Sequence, residues 1–262
     1  MKLRFSRKTL CIPYAVFLLF FVIAPMLVIV FYAFTDKNNH VSFTNFLQFF
    51  SDPMKLSTIV YSVVIALITT VICLLIAYPV ACILARSKMK RKHIILLLFV
   101  TPMWINFVLR VNAIRELINW IGLLGETNYA NTVFGMVYDF LPFMILPLYT
   151  TISKIDNSLY EASADLGANA ATTFFRVTLP LSFSGIISGI TMVFLPSMTN
   201  YVVSDMLGNS KITIIGKFIE TYFGTDWHMG SMIALILLLV VLVTSVLTGG
   251  FKSEESVRGA NL

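Results

Sequence analysis

The sequence predicts an all-α integral membrane protein with six transmembrane helices and both termini on the cytoplasmic side. Three observations carry that prediction: the apolar content, the length of the uncharged stretches, and the uneven placement of Lys and Arg. Of 262 residues, 58% are hydrophobic and only 12% charged, with mean hydropathy +0.85. Soluble domains are roughly 45–50% apolar and about 25% charged. A soluble core of this size cannot hide so much apolar surface, so lipid must cover it.

A helix needs roughly 20 apolar residues to cross the hydrocarbon. The first span is placed at about 12–34, inside the uncharged stretch Thr9–Thr35 of 27 residues. The basic residues before it resemble a signal peptide, but the stretch exceeds the roughly 7–15 residues of a cleaved apolar region. It is read as a helix that stays attached. The second span lies at about 59–85, within the uncharged stretch Leu56–Ala85. The third, about 94–114, is interrupted by Arg110. The fourth, about 132–152, carries Asp139, Pro142 and Pro147. The fifth, about 183–203, lies in the uncharged stretch Val177–Ser204, and the sixth is at about 229–250. Long continuous runs exclude barrel strands, which alternate over about ten residues. All six spans form one transmembrane domain over residues 1–262, with no internal repeat.

Orientation follows from the cytoplasmic excess of Lys and Arg. With the N-terminus inside, thirteen basic residues fall on inner segments: Lys2, Arg4, Arg7, Lys8, Arg86, Lys88, Lys90, Arg91, Lys92, Lys154, Arg176, Lys252 and Arg258. Six fall outside: Lys37, Lys55, Arg110, Arg115, Lys211 and Lys217. The net charge of +6 is therefore a topology signal and does not indicate nucleic acid. Cys11, Cys73 and Cys82 lie in apolar stretches and do not form a disulfide framework. His40, His93 and His228 stand far apart near loops, so no metal site and no intramembrane enzyme is expected. No Gly-x-x-x-x-Gly-Lys-Ser/Thr phosphate loop occurs, so the chain itself should not hydrolyse ATP.

The one long cytoplasmic loop, about 153–182, joins spans four and five. Its first part, Tyr160-Glu161-Ala162-Ser163-Ala164-Asp165-Leu166-Gly167, is rich in good helix formers. Gly167 can end that helix. Asn169 can cap a second one, and Pro180 restarts the chain before span five. Two short helices with a glycine elbow are expected, with Glu161 and Asp165 as polar contacts. The alternative is a plain solvated connector.

The spacing in this loop resembles the EAA motif of binding-protein-dependent ABC importers. That motif is Glu-Ala-Ala, three residues, Gly, nine residues, Ile, one residue and Leu-Pro. Glu161, Ala162, Gly167, Leu179 and Pro180 match in place, while Ser163 replaces the second Ala and Val177 the Ile. The match covers 20 residues on the face assigned to the cytoplasm. Leu141–Tyr149, Tyr201–Gly208 and Pro102–Asn106 followed by Arg110 extend the likeness to the PotB-type permeases of spermidine/putrescine importers. The resemblance runs from about residue 55 to the end of span six.

That resemblance implies a type I ABC importer permease of MetI-like architecture, a multi-pass protein of the bacterial cytoplasmic membrane. It implies a second, PotC-like permease subunit, two copies of a PotA-like ATPase and a PotD-like extracytoplasmic polyamine-binding protein. ATP and Mg²⁺ would be bound by the ATPase, and no cofactor by this chain. Glu161, Ala162, Gly167, Leu179 and Pro180 would couple to the ATPase. A permease of the same architecture for an iron-, sulfate- or amino-acid-type solute is the main alternative, and a stand-alone channel or secondary transporter a further one.

A polyamine path calls for carboxylates, aromatic faces and carbonyls. Asp139 is a candidate, about seven residues into span four and roughly 10 Å deep at 1.5 Å per residue. An ionisable group there suggests function, although Asp139 falls outside the family pattern and could instead pair with Arg110 or a partner chain. Asp205 and Tyr201 at the outer end of span five are candidates within the pattern, or else a cap and an interfacial anchor. Trp104 and Asn106 in span three complete the set. Arg110 would repel a polycation and is assigned to structure. Pro142, Pro147 and Pro196 are packing features.

Overall fold

The computed structural model describes residues 7–38, 40–87, 89–123, 128–208 and 213–247. Among the basic residues used for topology, Lys2, Arg4, Lys88, Lys211, Lys252 and Arg258 lie outside them, as does the end of span six at 248–250. The chain is helical, and the described residues hold one isolated antiparallel bridge, Thr35 with Val41.

In chain order the helices are α1 Arg7–Leu18, α2 Ala24–Ala33, α3 Thr44–Phe50, α4 Pro53–Arg86, α5 Lys92–Val100, α6 Phe107–Trp120 and α7 Asn128–Ile152. They continue with α8 Asn157–Asp165, α9 Ala170–Thr173, α10 Leu179–Leu181, α11 Phe183–Thr199, α12 Tyr201–Leu207, α13 Ile215–Thr225 and α14 Trp227–Leu247. Two π-helical turns, Leu19–Ile23 and Phe174–Thr178, join α1 to α2 and α9 to α10. Each leads directly into a segment whose second residue is proline, Pro25 and Pro180. Proline lacks an N–H, and its ring crowds the carbonyl four residues back. Those carbonyls, of Phe21 and Arg176, fall inside the π turns, whose wider ladder makes room for the ring. Pro180 therefore does not restart the chain: the helix runs through it.

Among the described residues, four helices are long and apolar enough to cross a membrane: Cys11–Ala33, Pro53–Arg86, Tyr129–Ile152 and Trp227–Thr244. The count reaches six when two bent pairs are each taken as one span. In the first pair, Lys92–Trp104 and Phe107–Trp120 meet at 99°. The third span, expected at about 94–114 and interrupted by Arg110, is thus broken earlier, at Ile105 and Asn106. A 3₁₀ turn, Thr101–Trp104, closes its first limb. Pro102 is the second residue of that turn, and Ile105 leaves it in extended geometry. Asn106 then caps α6, its side chain accepting from the Val108 and Leu109 N–H groups at 3.0 and 3.4 Å. In the second pair, Ala170–Leu181 and Phe183–Thr199 meet at 65°. The fifth span also ends earlier than residue 203, because Asn200 leaves helical geometry (φ −76°, ψ 80°). Gly216 presses there on the Thr199 carbonyl, an approach that any Cβ would prevent.

By its internal contacts the chain divides into two compact units, Met1–Ser57 with Phe218–Val240, and Thr58–Lys217 with Val241–Leu262. In the first unit, Asn45 Nδ2 donates to the Thr35 carbonyl at 3.1 Å. Asp226 caps α14 by accepting from the His228 and Met229 N–H groups, and pairs with Lys37 at 3.3 Å. Partial burial pushes the Asp226 carboxyl up, but the Met229 N–H, Lys37 and the His228 N–H together hold it below the usual aspartate range.

The second unit is organised on α7, whose Met136, Phe140, Met144, Ile145 and Leu148 are buried in its core. Helix α11 packs along α7 through Gly185 and Gly189, four residues apart on one face. A Cβ at Gly185 would lie 2.8 Å from Thr151 Cβ and 3.0 Å from the Pro147 carbonyl oxygen. A Cβ at Gly189 would lie 2.5 Å from Met144 Sδ. Small residues at this spacing let helix backbones approach closely where no hydrophobic driving force separates helix from lipid.

Candidate functional site

The loop between spans four and five forms the elbow its composition suggests. Asp156 starts α8, its side chain accepting from the Ser158 N–H at 3.0 Å, a bond that holds the carboxyl below its usual range. At the far end, Gly167 stands at φ +73°, a left-handed backbone that costs glycine nothing. The Gly167 N–H reaches the Ala164 carbonyl at 2.8 Å, and the Ala168 N–H reaches that of Ser163 at 3.0 Å. This crossed pair is a Schellman stop. Two residues on, Asn169 Oδ1 accepts from the Thr172 N–H at 2.8 Å and caps α9.

Ser163, one of the two departures from the motif, is buried and shares a 2.7 Å hydrogen bond with Thr173. It pins α8 to α9 across the elbow. Glu161, Ala162 and Gly167 are exposed, Leu179 is half-buried against the core and Pro180 is exposed. Leu166, at the corner, is 88% exposed, and nothing lies within 4 Å of a Cβ built on Gly167. A groove of about 460 Å³ lies in the crook, lined among others by Leu159, Leu166, Asn169, Thr172 and Arg176. The elbow is tied back to α4 at two points. The Arg86 guanidinium lies 4.0 Å from the centre of the Tyr160 ring. Tyr78 shares a 2.6 Å hydrogen bond with Ser182 and meets the Phe174 ring edge-on at 5.5 Å.

The five substrate-path candidates fall on neighbouring elements. α6 and α7 both pack against α12, which carries Tyr201 and Asp205. Trp104 ends the 3₁₀ turn at the break and is 86% exposed. Asn106, beside it, uses its side-chain oxygen as the α6 cap. Tyr201 and Asp205 are half-buried, and the Lys217 ammonium lies 5.3 Å from the Tyr201 ring centre. That ring therefore already accepts a primary ammonium on its face. Asp139 is 1% exposed and pairs with Arg110, 9% exposed, the Arg110 Nε donating to Asp139 Oδ1 at 2.7 Å. Of the two readings open to Asp139 from sequence, the geometry within this chain is the ion pair.

Sequence reasoning passed over several of these contacts. Gly185 and Gly189 carry a readable signal, two glycines four apart in an apolar run. Arg86 with Tyr160, Tyr78 with Ser182, and Ser163 with Thr173 carry none, because each is a tertiary meeting of ordinary residues.

Residues 77–251 match the family described as "Binding-protein-dependent transport system inner membrane component". The spermidine/putrescine transport system permease protein PotB of Haemophilus influenzae is 35% identical over 265 aligned residues, 92% of either chain. The Escherichia coli protein of the same name is 34% identical over 207 residues, 72% of this chain and 75% of the relative. A PotB homolog of Mycoplasma pneumoniae is 33% identical over 156 residues, 55% and 54% of the two chains. Among solved structures, a chain of a bacterial ABC transporter involved in import of the acidic polysaccharide alginate superposes with TM-score 0.73 at 15% identity, over 94% of both chains. A chain of the bacterial alginate ABC transporter in complex with an alginate pentasaccharide-bound periplasmic protein gives TM-score 0.76 at 14% identity, over 92% and 91%. At that identity the likeness concerns the fold.

Proposed function

The chain belongs to the family of binding-protein-dependent transport system inner membrane components, and on that premise we propose that it is the permease subunit of an ATP-driven polyamine importer. The observation that carries the substrate class is the 35% identity to a spermidine/putrescine permease across 92% of both chains. In this reading the chain forms half of the translocation path beside a PotC-like permease. A PotD-like binding protein delivers spermidine or putrescine at the outer face. Two PotA-like ATPases bind below, and they hold the ATP and Mg²⁺; this chain contributes no catalysis.

The elbow supports the coupling role. Its exposed corner, Glu161–Gly167, offers a short helix with an apolar tip at Leu166 and open space over Gly167. A groove on the ATPase can approach the backbone closely there. Closure of the ATPase pair would displace the elbow, and the spans would rock as rigid bodies. Such a switch requires contacts that differ between the two states. Ser163–Thr173, Arg86–Tyr160 and Tyr78–Ser182 make α8, α9 and α4 answer to one displacement. On the path itself, Tyr201 under Lys217 supports an aromatic surface that takes an ammonium group, with Trp104 and Asp205 on adjoining elements.

The test is uptake of labelled spermidine and putrescine by proteoliposomes holding the whole complex, with and without ATP. ATP-dependent uptake of either is expected. Failure with both, together with uptake of an unrelated solute, would overturn the polyamine reading and leave the permease one standing.

A further inference from the structure

We propose that Arg110 and Asp139 are positioning residues that clamp the break in the third membrane segment and so fix where Trp104 stands. Only the meaning of Trp104 rests on the polyamine reading; the clamp itself does not.

The chain turns through 99° at Ile105 and Asn106. A turn of this kind leaves backbone carbonyls outside the helical ladder, and in hydrocarbon an unpaired carbonyl is costly. Arg110, at the end of the first turn of α6, reaches back across the break. Its Nη1 donates to the Pro102 carbonyl at 2.8 Å, which also receives the Ile105 N–H at 3.2 Å. Its Nε donates to Asp139 Oδ1 on α7 at 2.7 Å. The rings of Phe107 and Tyr138 lie 5.7 and 6.0 Å from the guanidinium carbon. One planar cation thus joins the 3₁₀ turn, α6 and α7.

Two features separate a clamp from plain charge neutralisation. The first is the bond from Arg110 Nη1: Pro102 lies two residues before Trp104, so its carbonyl sets the end of the turn from which that side chain projects. The second is the way Asp139 engages. It uses Oδ1 alone, while Oδ2 is buried without a hydrogen-bond partner among the described residues. Strong Arg–carboxylate pairs are commonly bidentate. Here the second donor is spent on the break.

The two readings part in a charge swap. Arg110→Asp with Asp139→Arg restores opposite charges across α6 and α7, but a carboxylate cannot donate to the Pro102 carbonyl. Arg110→Lys keeps the charge and loses the rigid fork that spans both acceptors. Both variants are measured in the complete reconstituted complex. The half-saturating spermidine concentration is expected to rise by about two- to fivefold, the scale of one exposed cation–π contact. Maximal uptake should stay within about twofold, since the lost interaction is one of binding. A second readout does not need the substrate. In a complex otherwise free of cysteine, Ile105→Cys is alkylated with a membrane-impermeant maleimide. Loss of the clamp should shift that rate by about threefold or more, as local opening at the break changes. Parent-like uptake and alkylation in the swap would overturn the proposal in favour of charge neutralisation. If the swap does not assemble, parent-like behaviour of Arg110→Lys overturns it in the same way. A complex that imports no polyamine would refute the proposed function, and the alkylation rates would still decide the clamp.

Discussion

Gly167 separates backbone geometry from surface bulk at the elbow. Its φ of +73° is a left-handed conformation that costs an ordinary L-residue about 1–2 kcal/mol. A Cβ built there meets nothing within 4 Å, so Gly167→Ala introduces no clash within this chain. The expected effect is strain alone. It lowers the population of the elbow relative to competing turns by roughly five- to thirtyfold. Gly167→Asn adds more bulk but tolerates the left-handed region, so the elbow should keep its shape. Purified complexes reconstituted in proteoliposomes give both ATP hydrolysis and polyamine uptake, and their ratio measures coupling. If geometry is what the ATPase reads, the Ala variant transports fewer molecules per ATP and the Asn variant stays near the parent. The opposite order, Ala normal and Asn uncoupled, would refute the geometric argument and show that the ATPase needs an empty surface at this position. Parent-like coupling in both would remove Gly167 from the coupling path.

Other consequences are smaller and separable. Ser163→Ala removes the pin to Thr173 and leaves a buried hydroxyl short of one partner, costing about 1–3 kcal/mol locally; hydrogen exchange over residues 157–173 should rise, and unchanged exchange would remove the pin. Gly185→Ala should destabilise by about 1–3 kcal/mol, because its neighbours are a β-branched side chain and a backbone carbonyl that cannot yield. Gly189→Ala should cost less, since the flexible end of Met144 can move; equal thermal shifts for the two variants would contradict this reading. Asp226→Ala should lose about 1 kcal/mol as a helix cap is removed, whereas Asp226→Asn keeps the cap. Because the folded state depresses the Asp226 pKa, its contribution is full above the unfolded value of about 3.9. It is lost as pH falls through the lower folded value, so acid titration of thermal stability should show a step below about pH 4 in the parent that Asp226→Asn lacks.

Much of the fold was legible because membrane helices announce themselves locally. Apolar runs of about 20 residues or more placed the helices, and the Lys and Arg bias assigned their loops. The elbow was legible for the same reason: Gly167 and Asn169 act on their own neighbours, through backbone dihedral and cap. Of the contacts between residues far apart in sequence, the Arg110–Asp139 pair was one of two readings, and the others escaped. The bend in the third span went unread because hydropathy does not register direction, and Pro102 and Asn106 are each tolerated inside transmembrane helices. Only the bond from Arg110 to the Pro102 carbonyl and the pair with Asp139 show why the chain turns there. Ser163 looked like a small departure from a motif until Thr173 was seen opposite it.

These nonlocal contacts explain how a chain of long helices could behave as a small number of moving parts. A displacement at the elbow corner moves α8. The Ser163–Thr173 bond carries it to α9 and through the π turn to α10, and Tyr78 ties that limb to α4 by Phe174 and Ser182. Beyond the 65° bend, α11 is packed onto α7 at Gly185 and Gly189. At the far side α7 holds Arg110, and with it the break that carries Trp104. Close packing is bistable more readily than it is deformable, so motion is expected at the 65° bend and not within α7. The same geometry assigns different parts to the two departures from straight helix. The cytoplasmic bend lies where the proposed ATPase contact pushes. The Arg110 break is held on three elements at once, which suits a surface that must keep its shape while the limbs around it move.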